Sequence, residues 1–249
     1  MPLKLTACRS DKIIAAAPLS GYLSIPAYVP YHMWHEADPR KSAIVLAAMN
    51  SYKHELLAPN VRGTPVLQQH GRDDDNVPVY HSRRMHQLIA EEDWLTEYWE
   101  IPDRGHWWEG VMTDHGLPEF LTHHLNDKPV IPALPGKFSL VVANPADMGP
   151  RGGIVVDQLE EPDRYHPCIV SVEASLTCHC RIGRIDVEMQ GSTWILTTSN
   201  IRRWHFDESR SNTSEYPARV IVDEHVVSYP ADWDPSSTVL LADNGSWMV

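Results

Sequence analysis

No run of about 18 consecutive apolar residues occurs in this 249-residue chain, so no segment reads as a helix crossing a bilayer. The first ten residues, MPLKLTACRS, lack the apolar core of about 7–15 residues that a secretory leader carries, and the expectation is a cytoplasmic protein. Positive charge is scarce: 21 Lys and Arg stand against 33 Asp and Glu, for a net charge of −12. Both halves share the deficit, with 12 basic against 17 acidic residues in 1–130 and 9 against 16 in 131–249. Neither half offers the basic face that a phosphate backbone requires, which excludes nucleic acid as an expected partner.

Cysteine is sparse as well. Cys168, Cys178 and Cys180 fall together and Cys8 stands apart, which is no disulfide framework for a chain of this size. Cys178-His179-Cys180 lacks the second ligand pair of a structural zinc site, so free thiols are the better reading and no metal or other cofactor is expected. The fourteen histidines include His32-x-x-His35 and His123-His124, read as surface or cap residues for want of a convergent carboxylate. There is no convincing internal repeat.

What is present changes character near residue 130. Before it, short apolar runs alternate with helical stretches. The runs 13–21, 65–71 and 95–102 read as buried strands; 41–57, 78–90 and 117–125 read as helices, with Pro78 tolerated in a first turn. Such alternation predicts an α/β domain over 1–130 with a parallel sheet wrapped by helices. The segment 126–136 carries three prolines and a glycine, as a linker would. Beyond it, short β-rich runs separated by turn residues predict a second, antiparallel, sandwich-like domain over 131–249. Arg202-Arg203 is expected to serve packing or ion pairing within it.

The sharpest local feature is His70-Gly71-Arg72-Asp73-Asp74-Asp75-Asn76-Val77-Pro78, directly after an apolar strand. Loops at the carboxyl ends of parallel strands are where such sheets gather functional groups. An acidic turn capping the next helix accounts for the aspartates equally well. Asp103-Arg104-Gly105-His106-Trp107-Trp108 follows the next strand and shifts the balance. Strand, Asp loop, helix, strand, His loop is the order that brings a carboxylate and an imidazole together at one sheet edge. That pair supplies acid–base chemistry: the imidazole takes a nucleophile's proton and the carboxylate fixes its tautomer. Trp107 and Trp108 could line a substrate pocket there; Trp34, Trp94, Trp194 and Trp204 read as packing.

These residues carry a resemblance. HGRDDDNVPVYHSRRM followed by GHWW resembles the Asp and His segments of prolyl-oligopeptidase-type serine peptidases of the α/β-hydrolase superfamily. The resemblance implies Asp74 as triad acid, His106 as triad base and Asn76 as a holder of the substrate carbonyl. DKIIAAAPLSGYLS is similar to the strand that follows the nucleophile helix in such enzymes. VVANPADMGPRGGIVVDQL and TTSNIRRW resemble the β-rich extension of fungal-type relatives. The implied activity is acyl transfer on peptide bonds, with ester bonds as the alternative substrate.

One element of that pattern is missing. No G-x-S-x-G nucleophile elbow occurs, and Ser20, in Pro18-Leu19-Ser20-Gly21, lacks the first elbow glycine and reads as a strand end. The expectation is therefore a C-terminal portion, inactive alone, whose strand at 13–18 is an open sheet edge prone to self-association. The alternative is a non-catalytic interaction protein that binds through its β-rich domain. Residues 164–180, between Pro162-Asp163 and Gly183-Arg184-Ile185, look inserted: a translated intron or lineage-specific loop, or else an extra strand.

Overall fold

The computed structural model describes residues 2–28, 49–92, 94, 96–125, 131–162, 166–169, 177–180, 182–207, 217–227, 239–243 and 246–248. The expectations placed on Trp34, His32 and His35, on 41–48, on 126–130 and on 170–176 lie outside the described residues.

The protein is mixed α/β. Strand β1 (Leu67–Gly71) is buried along its whole length and pairs in parallel with β2 (Glu97–Ile101), from Leu67 opposite Glu97 to Gly71 opposite Ile101. Between them runs the helix Tyr80–Glu91, which turns Met85, Leu88 and Ile89 inward at helical spacing. The chain from Ala16 to Ser20 lies along the other side of β1, bridged in parallel at Ala16–Val66 and Leu19–Gln69. Alternate amides carry that contact: Ala16 N–H donates to Pro65 O at 2.9 Å and Ser20 N–H to Gln69 O at 2.9 Å. The helix Leu117–His124 follows β2 after an intervening loop.

The helix expected over 41–57 is corrected where it is described. Asn50–Tyr52 and His54–Val61 are 3-10 turns. Pro59 removes an amide from the second turn, and Leu56 to Val61 are all buried, leaving no polar face for an amphipathic helix. The carbonyls of Asn60 and Arg62 accept instead from the guanidinium of Arg151.

After residue 136 the chain forms two larger sheets. One has the order β11 (His225–Val227), β10 (Arg219–Val222), β8 (Thr193–Ser199), β7 (Gly183–Gln190), β3 (Lys137–Val142). The other runs β13 (Ser246–Met248), β12 (Val239–Asp243), β9 (Ile201–Phe206), β4 (Ile154–Leu159). Neighbours are antiparallel except β10 and β8, which are parallel, so the fully antiparallel expectation is corrected at that pair. Alternation sets the faces: in β7, Ile185 and Val187 are buried while Arg184, Asp186 and Glu188 point outward. Trp194 of β8 meets Phe138 of β3 and Phe206 of β9 edge-on, joining side chains of both sheets. Each such pair contributes about 0.5–1.5 kcal/mol beyond its buried area. Arg202 and Arg203 pair with Glu160 and Asp157 of and beside β4. His166–Ile169 (β5) and Thr177–Cys180 (β6) form a separate antiparallel hairpin within the stretch that looked inserted.

Residues from both sides of position 130 contribute to one apolar cluster, from Ala7, Leu57 and Ile89 to Leu140, Trp204 and Leu240. Buried polar ties cross the same line. Asn60 Nδ2 donates to Ala7 O at 3.2 Å and to Val141 O at 2.7 Å, and its Oδ1 accepts from Val141 N–H at 2.6 Å. Asp11 accepts from the amides of Gly152 and Gly153 at 3.0 and 3.2 Å.

His54 is buried beneath Tyr22, whose ring stacks on it at 5.4 Å, and burial pulls its pKa down to about 4. Its folded value lies below its unfolded value, so its contribution to stability is complete above about pH 6.5 and is lost as pH falls toward 4. Asp11, pushed up to about 6 by burial, runs the opposite way and flattens the parent protein's own curve. A comparison with His54→Gln removes that second effect. Between pH 7.5 and 4.5 the parent should lose about 2.5 kcal/mol relative to the variant in urea titrations. Parallel stability curves for the two proteins would show that His54 is not held neutral.

Candidate active site

The chain leaves β1 and β2 through two loops at the same end of the parallel pair. They are stitched backbone to backbone: Arg72 N–H donates to Ile101 O at 2.8 Å and Asp73 N–H to Arg104 O at 2.9 Å. Gly71 makes this approach possible, because a Cβ there would collide with the carbonyls of Arg104 and Gly105.

Asp74 and His106 meet across these loops. Asp74 Oδ2 lies 2.8 Å from His106 Nδ1, and the Asp74 side chain is fully buried while that of His106 keeps 23% of its exposure. The other oxygen, Oδ1, accepts from the amides of Asn76 at 2.9 Å and Val77 at 2.8 Å. The acidic-turn account therefore describes Oδ1 and the imidazole contact describes Oδ2. The carboxylate caps its own loop rather than the helix, which begins only at Tyr80 and has no side-chain cap.

Burial alone would raise the Asp74 pKa, but donation from His106 and from the amides of Val77 and Asn76 outweighs it and holds the carboxyl below the usual range. An ionised Asp74 only accepts, so the hydrogen in its bond to His106 belongs to Nδ1. In the neutral ring Nε2 then keeps its lone pair, and among the described residues it has no hydrogen-bond partner. An imidazole in that tautomer, oriented by a buried carboxylate and open to solvent, can accept a proton from a hydroxyl or water.

The surroundings sort into three groups. Trp107 stands edge-on to His106 at 5.7 Å between ring centroids and is 70% exposed. The Asn76 side chain is exposed, and its Oδ1 accepts from Tyr28 Oη at 2.8 Å. Ser20 is a non-glycine residue in the left-handed region (φ 43°); its Oγ donates to the backbone O of His106 at 3.5 Å, a contact to the loop and not to the ring.

Sequence reasoning missed His70 and His81. His70 is fully buried, with Nε2 2.8 Å from Val77 O and 3.1 Å from Asp74 Oδ2, and Nδ1 2.7 Å from Ser82 Oγ. His81 Nδ1 accepts from Leu23 N–H at 3.3 Å. A usable signal existed: Gln68, Gln69 and His70 are polar residues inside a strand read as buried, and buried polar groups must find partners. Among the described residues no group of His, Cys, Asp and Glu could hold a metal ion.

No family model matches the chain. An "Uncharacterized secreted protein" of Arthroderma benhamiae is 42% identical over 202 residues, which cover 80% of this chain and 20% of that protein. The chain thus spans about a fifth of the length of this relative. Among solved structures, a protein described as a dipeptidyl aminopeptidase IV from Bacteroides ovatus matches 48% of this chain and 16% of its own at 13% identity, with a TM-score of 0.39. Acylaminoacyl peptidase from Pyrococcus horikoshii matches 49% of this chain and 21% of its own at 13% identity, with a TM-score of 0.32. These structural neighbours are peptidases by name.

The relative corrects the expectation of a cytoplasmic protein, since it is described as secreted. The argument from residues 1–10 fails for a physical reason. A leader acts at the N-terminus of the whole protein, and a chain matching a fifth of a longer relative says nothing about where that terminus is.

Proposed function

We propose that Asp74 and His106 are the acid and base of a serine-type hydrolytic site that cleaves peptide bonds, or esters, by acyl transfer. The single observation that carries this reading is the 2.8 Å contact between a buried carboxylate and a partly exposed imidazole on adjoining strand-end loops. His106 Nε2 takes the nucleophile's proton and returns it to the leaving group, while Asp74 steadies the imidazolium between the two transfers. Asn76, exposed beside the dyad, holds the substrate carbonyl. In this reading residues 1–130 belong to an α/β-hydrolase unit, and residues 131–249 form a sandwich-like unit packed against it.

No G-x-S-x-G occurs among the 249 residues, so the proposal gives this chain the acid–base half of the site. The test uses a longer polypeptide in which a G-x-S-x-G segment precedes the present sequence. A fluorophosphonate probe should label it, and His106→Ala should slow labelling by about 10⁴-fold. Labelling indifferent to His106 sinks the assignment. The 249-residue chain offers a second readout, the His106 tautomer seen by nitrogen NMR. Asp74→Asn, which presents an amide N–H₂ where the carboxylate accepted, should move the ring hydrogen from Nδ1 to Nε2.

The partner we propose for the isolated chain is a second copy. The chain over Ala16–Ser20 bonds to β1 through alternate residues, and the amides of Ala17 and Leu19 face away from it. Among the described residues no strand lies along that side, and an edge of this kind pairs with other chains. Sedimentation at micromolar concentration should show dimers or larger species, and a monodisperse monomer speaks against the idea.

A further inference from the structure

The geometry points to His70 as a positioning residue for the dyad, clamping Asp74 through Val77 and against its Oδ2. This inference rests on the reading of Asp74 and His106 as an acid–base pair.

The argument begins with what His70 can do. Its Nε2 lies 2.8 Å from the carbonyl oxygen of Val77, and a carbonyl only accepts, so Nε2 carries a hydrogen in any charge state of the ring. Its Nδ1 lies 2.7 Å from Ser82 Oγ, a group that donates or accepts and so fits either condition. The ring has no exposure, so neither bond competes with water. Val77 is then held at both ends of its backbone: its carbonyl by His70, its amide by Asp74 Oδ1 at 2.8 Å. A turn of four residues, 74–77, is thereby closed from both sides.

The same Nε2 lies 3.1 Å from Asp74 Oδ2, the oxygen that faces His106. Its hydrogen points at Val77, but the positive end of that N–H dipole stands beside the carboxylate. Oδ2 is thus bounded by nitrogens of His106 and His70 on two sides, and the carboxyl group cannot rotate without breaking bonds at Oδ1. The titratable groups facing His70 are Asp74 from its loop and His81 from the helix, the latter shifted down by burial and secondarily by His70. Ser82 supplies the remaining polar contact.

The test reads His106 rather than His70. In the 249-residue chain, His70→Leu keeps most of the volume and removes the donor. It should speed exchange of the His106 Nδ1 hydrogen with water about tenfold or more, because a displaced carboxylate holds it poorly. His70→Gln places an amide nitrogen near the former Nε2 and should return exchange to within about threefold of the parent. A folded His70→Leu variant with unchanged exchange overturns the proposal, as does a failure of glutamine to outperform leucine. If His70→Leu does not fold, nitrogen NMR of the parent decides: a hydrogen on Nε2 coupled to the Val77 carbonyl supports the clamp, and an unprotonated Nε2 overturns it. The underlying pair fails by a different sign, an Asp74→Asn variant whose His106 tautomer is unchanged.

Discussion

Asn60→Leu should cost the folded protein about 4 kcal/mol, although the side chain is nowhere near the candidate site. Asn60 is fully buried and its amide is used at both ends: Nδ2 serves the carbonyls of Ala7 and Val141, and Oδ1 serves the amide of Val141. Leucine fills the same space and satisfies none of them. Each buried backbone group left without a partner costs about 1–3 kcal/mol, and the apolar transfer gained by leucine offsets only part of that. The measurement is the shift in urea midpoint at constant slope, since a changed slope would mean a changed denatured state rather than a lost joint. A loss below about 1 kcal/mol would show that β3 and the His54–Val61 turn are held by apolar contact alone.

That prediction concerns something the sequence hid. Asp11, Asn60 and Arg151 look like ordinary surface residues in a one-dimensional pattern, yet they are 3%, 0% and 1% exposed and tie residues 11 and 60–62 to the segment 141–153. The backbone partners that join these two stretches lie 81 to 142 residues away, and no local rule announces such a contact. The strands were legible for the opposite reason. β7 carries its burial in its own periodicity, in the alternation of Ile185 and Val187 with charged neighbours. Where turn chemistry was unusual, legibility failed. The stretch ARVIVDEHVV (218–227), a single β-favourable run in the sequence, breaks into β10 and β11 at Asp223 and Glu224, both at positive φ and without the glycine or asparagine that signals such a hairpin. The run 192–201 likewise divides at Asn200, with φ 57°. At the site, Asp74 and His106 could be picked out because each follows the end of one of two parallel strands, Gly71 and Ile101, by a few residues. His70 could not, because the contacts of its ring depend on a side-chain direction that strand periodicity does not state.

The second large effect is expected from a single methyl group at Gly71. Its role does not come from backbone freedom but from space: a Cβ there would strike the carbonyls of Arg104 and Gly105, both parts of main chain that cannot swing aside like a side chain. Gly71→Ala must therefore push the His106 loop away from the Asp74 loop. The bond from Asp73 N–H to Arg104 O, 2.9 Å in the parent, lies directly in the path of that movement. Overpacking costs about 1–3 kcal/mol, and loss of that bond adds about 1 kcal/mol more. On the proposed reading, the longer polypeptide that carries the nucleophile should lose proportionately more, since a displacement of about 1 Å at a reacting group is worth roughly a hundredfold in rate. The His106 Nδ1 hydrogen should lose its protection from exchange while the far-ultraviolet circular dichroism stays close to that of the parent. Gly21→Ala is the matched control, because its Cβ would meet only Pro18 Cβ at 3.9 Å, an ordinary contact. If both alanine variants leave the His106 hydrogen equally protected, the two loops do not owe their apposition to the missing side chain at residue 71, and the close seam between β1 and β2 is not what brings carboxylate and imidazole together.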